Sequence, residues 1–180
     1  NNAVIKGVFN ASGGGHVVTS KIEHESVLGA CRQVEAMGGR VTFLPAGKDG
    51  RVRPEDVREA LRPDTVLISI MHANNETGAI QPVEDIGRIA KERGALFHTD
   101  AVQTFGKIDT DVDRIGCDFL SLTAHKINGP KGVGALYCRN DGQWTPLIYG
   151  GDQERKMRAG TEAVHQIVGL GKAAEIAAGR

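Results

Sequence analysis

The chain has 180 residues, enough for one domain with a buried core, and its 22 basic and 22 acidic side chains leave no formal net charge. Those charges are interspersed, which argues against a nucleic-acid or membrane-surface face and leaves a small molecule as the expected partner. Three cysteines, Cys31, Cys117 and Cys138, without Cys-x-x-Cys or Cys/His spacing, speak against a disulfide framework or a zinc site and imply a reducing compartment, and no apolar run reaches the eighteen or so residues of a membrane span.

Asn1 to Phe9 reads as the later part of a helix, closed by a turn at Gly13-Gly14-Gly15. His16-Val17-Val18-Thr19-Ser20 is strand-like, and after Glu23-His24 the apolar residues Val27, Cys31 and Val34 recur at helical spacing until Gly38-Gly39. Val41 to Leu44 is the next strand. Pro54 opens a helix with Val57 and Leu61 on one face and Pro63 as its stop. Thr65 to Met71 is a continuous apolar run, the mark of a strand covered on both faces. Pro82 starts a helix whose Val83, Ile86, Ile89 and Ala90 share a face, Gly94 ends it, and Ala95 to Thr99 forms the following strand. Asp100 to Gly116 reads as a loop crossing the sheet edge. Cys117 to Leu122 and Val133 to Cys138 are the last strands, Arg139 to Gln143 a flexible connection, and Val164 to Ala178 a final helix. Alternation of this kind predicts an α/β fold, a doubly wound, mostly parallel sheet flanked by helices, and glycine at 24 residues, nearly twice the ordinary usage of about 7%, suits its many tight turns.

In such a sheet the ligand sits beyond the carboxyl ends of the strands, so the first polar residues after each strand are the candidates. They are Glu23 and His24, His72 and Asn74-Asn75-Glu76, Asp100 and Gln103, then Thr123, His125 and Lys126. Lys126 follows a buried strand and precedes the Asn128-Gly129-Pro130 turn. A lysine there, with an acidic residue from a neighbouring strand, is the arrangement pyridoxal phosphate requires: the amine forms a Schiff base and the carboxylate, Asp100, keeps the pyridine nitrogen protonated. Bland readings stand beside these. Lys126 alone reads as a solvated lysine, Asp100 as a turn cap, and His24 as a helix cap or as a flat ring over an aromatic cofactor. His98 is a core or supporting histidine; His16, His72 and His165 are structural; Cys31 shares the apolar helix face, and Cys117 and Cys138 lack the basic neighbours of an activated thiol. Gly169-Leu170-Gly171-Lys172-Ala173-Ala174 fits a dinucleotide pattern, but an acidic partner about 20 residues on would lie beyond Arg180. Gly47-Lys48 is a turn.

The run from Thr123 through His125, Lys126 and Gly129-Pro130 to Tyr137 closely resembles the cofactor-lysine signature of the cysteine desulfurases, pyridoxal-phosphate enzymes of fold type I in the class V aminotransferase superfamily. Thr19 to His24, Met71 to Gly78, His98 to Gln103 and Gly150 to Thr161-Glu162 resemble that family's other blocks, in its order. The resemblance implies that Lys126 carries the cofactor and shuttles the Cα proton, that Asp100 pairs with the pyridinium nitrogen, that His24 stacks on the ring, and that Asn75 and Gln103 bond near the ring hydroxyl. It further implies that Thr123 and His125 hold the phosphate, Thr123 standing where Ser is commoner, and that Thr161 reaches the phosphate of the other subunit in a homodimer.

Expected by that resemblance are L-cysteine as substrate, alanine as product, sulfur passed to an enzyme persulfide for iron-sulfur cluster or thio-cofactor biosynthesis, sulfur-acceptor or scaffold proteins as partners, and a cytoplasmic location unless a targeting segment lies upstream of Asn1. Residues 1–180 then read as an incomplete cofactor-binding large domain. The family's Gly-Ala-Thr turn, its substrate-gripping arginine and its persulfide cysteine are expected outside the chain, together with the N-terminal arm and the C-terminal small domain, so the isolated piece is expected not to desulfurate cysteine. Alternatives are a selenocysteine lyase or class V aminotransferase, a catalytically inactive binding or interaction fragment and, more distantly, a dinucleotide-binding domain.

Overall fold

A computed structural model describes residues 1–179; Arg180, at which the expected domain ends, lies outside the described residues. The apolar runs form six strands: β1 (His16–Ser20), β2 (Arg40–Leu44), β3 (Thr65–Ser69), β4 (Leu96–Asp100), β5 (Phe119–Thr123) and β6 (Gly134–Cys138). They make one sheet in the order β2-β1-β3-β4-β5-β6, parallel throughout except for β6, which runs antiparallel to β5. Helices α1 (Asn2–Ala11), α2 (Glu25–Ala36), α3 (Pro54–Ala60), α4 (Val83–Arg93), α5 (Val112–Ile115) and α6 (Val164–Ala178) complete the chain. This is the expected doubly wound sheet. Among the described residues no helix is long and apolar enough to cross a membrane.

Side chains alternate across each strand, so neighbouring apolar residues feed opposite layers. Val17, Leu67 and Phe119 join Val4, Ile5 and Val8 of α1 and Val27, Cys31 and Val34 of α2 in one cluster. Val18, Ile68, Phe97 and Leu120 join Val57 of α3 and Val83, Ile86 and Ile89 of α4 in the other. Two-sided burial is why the strands read as unbroken apolar runs. Pro54 does open α3 at its first turn, and α4 carries Glu84 and Asp85 in its first turn, Lys91 and Arg93 in its last, and Gly94 as a left-handed cap (φ 69°). α4 also packs so closely on the end of α5 that a side chain at Gly87 would collide with the Ile115 carbonyl oxygen.

Two segments differ from the sequence reading. The stretch after Asp100 contains α5, four residues started by Asp111, whose carboxylate accepts the Asp113 and Arg114 backbone N–H groups; four residues are too few to display a period. Arg139, expected in a flexible connection, is tied down: its guanidinium donates to the Cys117 and Val112 carbonyl oxygens and to Asp113. Trp144 follows, nearly buried, edge-on to Phe119 with ring centroids 6.3 Å apart. Polar composition hid an anchor because its partners are backbone carbonyls. As the helical reading of Val164 to Ala178 expects, Gly169-Leu170-Gly171 lies inside α6, where a side chain at Gly169 would meet the Pro130 ring, so the dinucleotide pattern is part of a packed helix.

Candidate active site

The carboxyl ends of β1, β3, β4 and β5 bring most of the candidates to one edge. Asp100 ends β4 and is only 6% exposed. Its Oδ1 accepts the Val102 backbone N–H at 2.9 Å, the turn-capping bond, and its Oδ2 accepts the Asn1 side-chain amide at 2.6 Å. Among the described residues no lysine or arginine side chain forms an ion pair with this carboxylate. Gln103, half-buried, belongs to the turn that follows.

On the neighbouring strand Asp100 is in register with Ser121, and β5 runs on to Thr123. A single 3-10 turn, Ala124–Ile127, comes next; Ala124 and Ile127 are buried as its anchors, and His125 and Lys126 between them are exposed. Asn128 then takes a left-handed conformation (φ 64°) and Gly129 packs against Ala173 of α6. The lysine is thus a flexible amine on a rigid mount. Thr123 Oγ1 lies 3.2 Å from the Val133 carbonyl oxygen, to which it donates, and 3.0 Å from His125 Nδ1. With the hydroxyl hydrogen so committed, Nδ1–H of His125 is the donor in the second bond and its Nε2 faces no protein partner.

His24 is both a cap and a site residue by position. It is the N-cap of α2, with Nδ1 accepting the Ser26 backbone N–H at 3.1 Å and lying 2.9 Å from Ser26 Oγ, yet the ring is exposed beside the end of β1. Asn74 and Asn75, adjacent in sequence, do different things. Asn74 is buried; its amide donates to the Ile22 carbonyl, and its Oδ1 accepts the Glu76 and Thr77 backbone N–H groups, so it builds the turn on which Asn75 stands exposed. Thr161 is exposed in the segment before α6, and no hydrogen bond ties it to the strand-end cluster. A groove of about 550 Å³ lined by Lys21, Ile22, Pro45, Lys48, Asp49 and Thr77 flanks the cluster on the β2 side.

Glu23 is the group at this edge whose chemistry sequence reasoning passed over. Its side chain is buried, Oε1 accepts the Met71 backbone N–H and the Ser20 hydroxyl, and Oε2 has no partner. Burial, with a smaller contribution from the nearby charge of Asp100, pushes its carboxyl up to about 8 against the two hydrogen bonds. His98 in mid-sheet is held neutral by burial, with Nδ1 on Ser69 Oγ (2.8 Å) and Nε2 on Ser121 Oγ (2.9 Å). His72 is buried with Nδ1 on Thr104.

No cysteine stands at this edge. Cys31 is in the α2 core layer and Cys117 precedes β5, both buried, with thiols that burial pushes up to about 12 and about 11. Cys138 pairs with Phe119, the first residue of β5, and therefore lies at the opposite edge from Thr123.

The family described as Aminotransferase class-V matches residues 1–179. The chain is 54% identical over 179 residues to "Cysteine desulfurase IscS" of Dictyoglomus turgidum, covering 98% of this chain and 45% of that protein. Against the protein of the same name from Methanosarcina thermophila it is 54% identical over 178 residues, covering 98% and 44%. Among solved structures, one described as "SspA in complex with cysteine" superposes with a TM-score of 0.93 at 49% identity, over 97% of this chain and 51% of the other. Another, described as a NifS-like protein, gives 0.95 at 42% identity, over 99% and 50%. The chain spans about half the length of the curated relatives it matches.

Proposed function

The chain belongs to the class-V aminotransferase family, and from that premise we propose that the full protein is a pyridoxal-phosphate-dependent cysteine desulfurase that converts L-cysteine to L-alanine and passes the sulfur to a thiol. One observation carries the reading: a buried carboxylate that no lysine or arginine side chain pairs with among the described residues, Asp100, ends the strand next to the one that presents the exposed amine of Lys126. A carboxylate so placed is costly unless something positively charged faces it. A protonated pyridine nitrogen meets that need, and two of the four lone-pair sites on Asp100 remain open.

When bound, pyridoxal phosphate supplies an aldehyde that condenses with amines and a ring that accepts the electron pair left as the substrate loses its Cα proton. Lys126 would hold the cofactor through Nζ and, once displaced by the amine of cysteine, take the Cα proton on that same nitrogen. Asp100 would keep the ring nitrogen protonated and the ring electron-poor. His24 would cover one face of the ring, and Asn75 and Gln103 would bond near its hydroxyl. Thr123 and His125 would hold the phosphate, joined in a homodimer by Thr161 of the second subunit. The sulfur acceptor is none of Cys31, Cys117 and Cys138, since two are buried with raised pKa values and the third stands at the far edge. Relatives named as cysteine desulfurases at 54% identity, and the structural neighbour described with cysteine bound, support this substrate over selenocysteine or a keto acid.

The test is made on the full-length protein. Purified protein should be yellow, borohydride should fix the cofactor to the peptide containing Lys126, and L-cysteine should yield alanine with sulfide under reductant. Fixation at another lysine, or no alanine, would overturn the proposal.

A further inference from the structure

We propose that Ser26 and Asn1 are positioning residues that couple the His24 ring, whose neutral form carries its proton on Nε2, to the Asp100 carboxylate. This rests on the reading of His24 and Asp100 given above. The links are short and their directions follow from chemistry. Asn1 Nδ2 lies 2.6 Å from Asp100 Oδ2 and 2.7 Å from Ser26 Oγ. A carboxylate only accepts, so the Asn1 atom facing it is the NH2 nitrogen, and the two hydrogens of that amide serve the two bonds. Rotating the amide would set oxygen against oxygen at 2.6 Å. Ser26 Oγ therefore accepts from Asn1, which leaves its own hydrogen for His24 Nδ1 at 2.9 Å. The Ser26 backbone N–H points at the same nitrogen from 3.1 Å.

Two donors on Nδ1 leave no room for a proton there. Neutral His24 must carry its hydrogen on Nε2, on a ring that is exposed where the cofactor would lie. The polar order Asp100, Asn1, Ser26, His24 thus presents an N–H donor to an arriving ligand, and rotation of the ring would break both Nδ1 bonds. Helix capping alone would need only the backbone bond. The Asn1–Ser26 pair is what joins the cap to the carboxylate on another strand.

The experiment reads the tautomer by 15N–1H NMR of the histidine rings in full-length protein, without substrate and with the cofactor removed. Expected are a protonated Nε2 and a bare Nδ1 for His24 in the parent, a displaced Nδ1 15N shift in Ser26→Ala and Asn1→Ala, where the backbone N–H still caps Nδ1 but the hydroxyl bond is lost or redirected, and restoration in Ser26→Thr, which keeps the hydroxyl. In the loaded protein, Ser26→Ala should lower kcat about tenfold with KM changed less than about twofold, as expected when one orienting hydrogen bond is lost. A His24 protonated on Nδ1 in the parent, or one Nδ1 15N shift shared by parent, Ser26→Ala and Asn1→Ala, would overturn the coupling. The NMR result stands apart from the assigned reaction, because it needs neither cofactor nor turnover; a protein that makes no alanine yet shows the expected tautomer and shifts would refute the reaction and leave the coupling intact.

Discussion

The two edges of the sheet handle polar groups in opposite ways. At the amino edge His16 is bonded through both ring nitrogens, Nδ1 to Thr65 Oγ1 and Nε2 to Thr42 Oγ1, each at 2.8 Å. Beside it Arg40 pairs with Asp64, Asp118 accepts the Phe97 backbone N–H at 2.8 Å, and Arg139 clamps the segment before β5. At the carboxyl edge Lys126 and Asn75 are exposed, His24 and His125 use one ring nitrogen each, and Asp100 is buried with no lysine or arginine side chain paired to it among the described residues. Both edges are built from the same strands, so the difference is not one of fold. Exposed or incompletely paired Lys126, His24, His125, Asn75 and Glu23 share the edge where strands of this topology point their carboxyl ends, and that concentration is the chemical signature of a ligand site.

The sharpest way to break the comparison is to remove a group from each edge. Lys126→Ala should leave the melting temperature of the cofactor-free full-length protein unchanged within error, because the side chain is exposed and no hydrogen bond of the described structure uses it. Turnover should fall by about 10³-fold or more, as expected for loss of a covalent and proton-transferring group. A fall in stability with retained activity would make the lysine a structural residue and erase the distinction between the edges.

Glu23 tests the exception, a carboxyl-edge group that is buried. Its folded pKa of about 8 stands above the ordinary glutamate value of 4.5. Below pH 4.5 the group is protonated folded or unfolded and its contribution to stability is fully present. As pH rises the unfolded chain ionises while the folded one keeps its proton, so stability is lost until the pH passes about 8. The total is on the order of 5 kcal/mol. Urea unfolding of parent and Glu23→Gln between pH 5 and about 8.5 should give curves that diverge with pH, the variant lacking this part of the slope. Parallel curves would mean that Glu23 is ionised in the folded state.

At the amino edge His16→Ala should cost stability and spare chemistry. It removes a buried ring and leaves the hydroxyls of Thr42 and Thr65 without their shared partner, a loss of about 2–3 kcal/mol seen in chemical unfolding. The kcat of the protein that remains folded should stay within about twofold of the parent. A selective loss of kcat at full stability would place function at the wrong edge.

How much of this was legible beforehand depends on range. Continuous apolar runs announced β1, β3 and β5, and Pro54, Pro82 and Gly94 marked helix ends, because each signal acts within a few residues. The rule that ligands sit beyond the carboxyl ends of parallel strands then sufficed to collect Asp100, Thr123, His125 and Lys126 at one edge. What escaped was set by contacts between distant segments. Nothing in the neighbourhood of Ser26 reveals Asn1 across 25 positions, and the buried, half-satisfied state of Glu23 depends on Met71, 48 residues away. Asn74 and Asn75 look alike in sequence, and only the turn geometry separates the builder from the presenter. α5 was missed for its length, and Arg139 because carbonyl partners leave no mark in composition.

The smallest expected effect is at Thr123, where the resemblance to the cysteine desulfurases leads one to expect Ser. The Thr123 hydroxyl donates to the Val133 carbonyl and accepts from His125, so it closes the turn onto the segment before β6 and orients the imidazole in one arrangement. Serine keeps both bonds. It loses one half-buried methyl, worth about 0.5–1 kcal/mol, and gains a rotamer, so Thr123→Ser should stay within about twofold of the parent in both kcat and cofactor affinity. Valine keeps the shape and removes the hydroxyl. His125 Nδ1–H then loses its acceptor, and Thr123→Val should weaken cofactor retention by about tenfold, the usual scale for one orienting hydrogen bond. Dialysis of the loaded variants, followed by the visible absorbance that remains, compares the three proteins directly. Equal retention in Val and Ser variants would show that the hydroxyl is part of the turn alone, and Thr123 would then belong with the satisfied groups of the opposite edge.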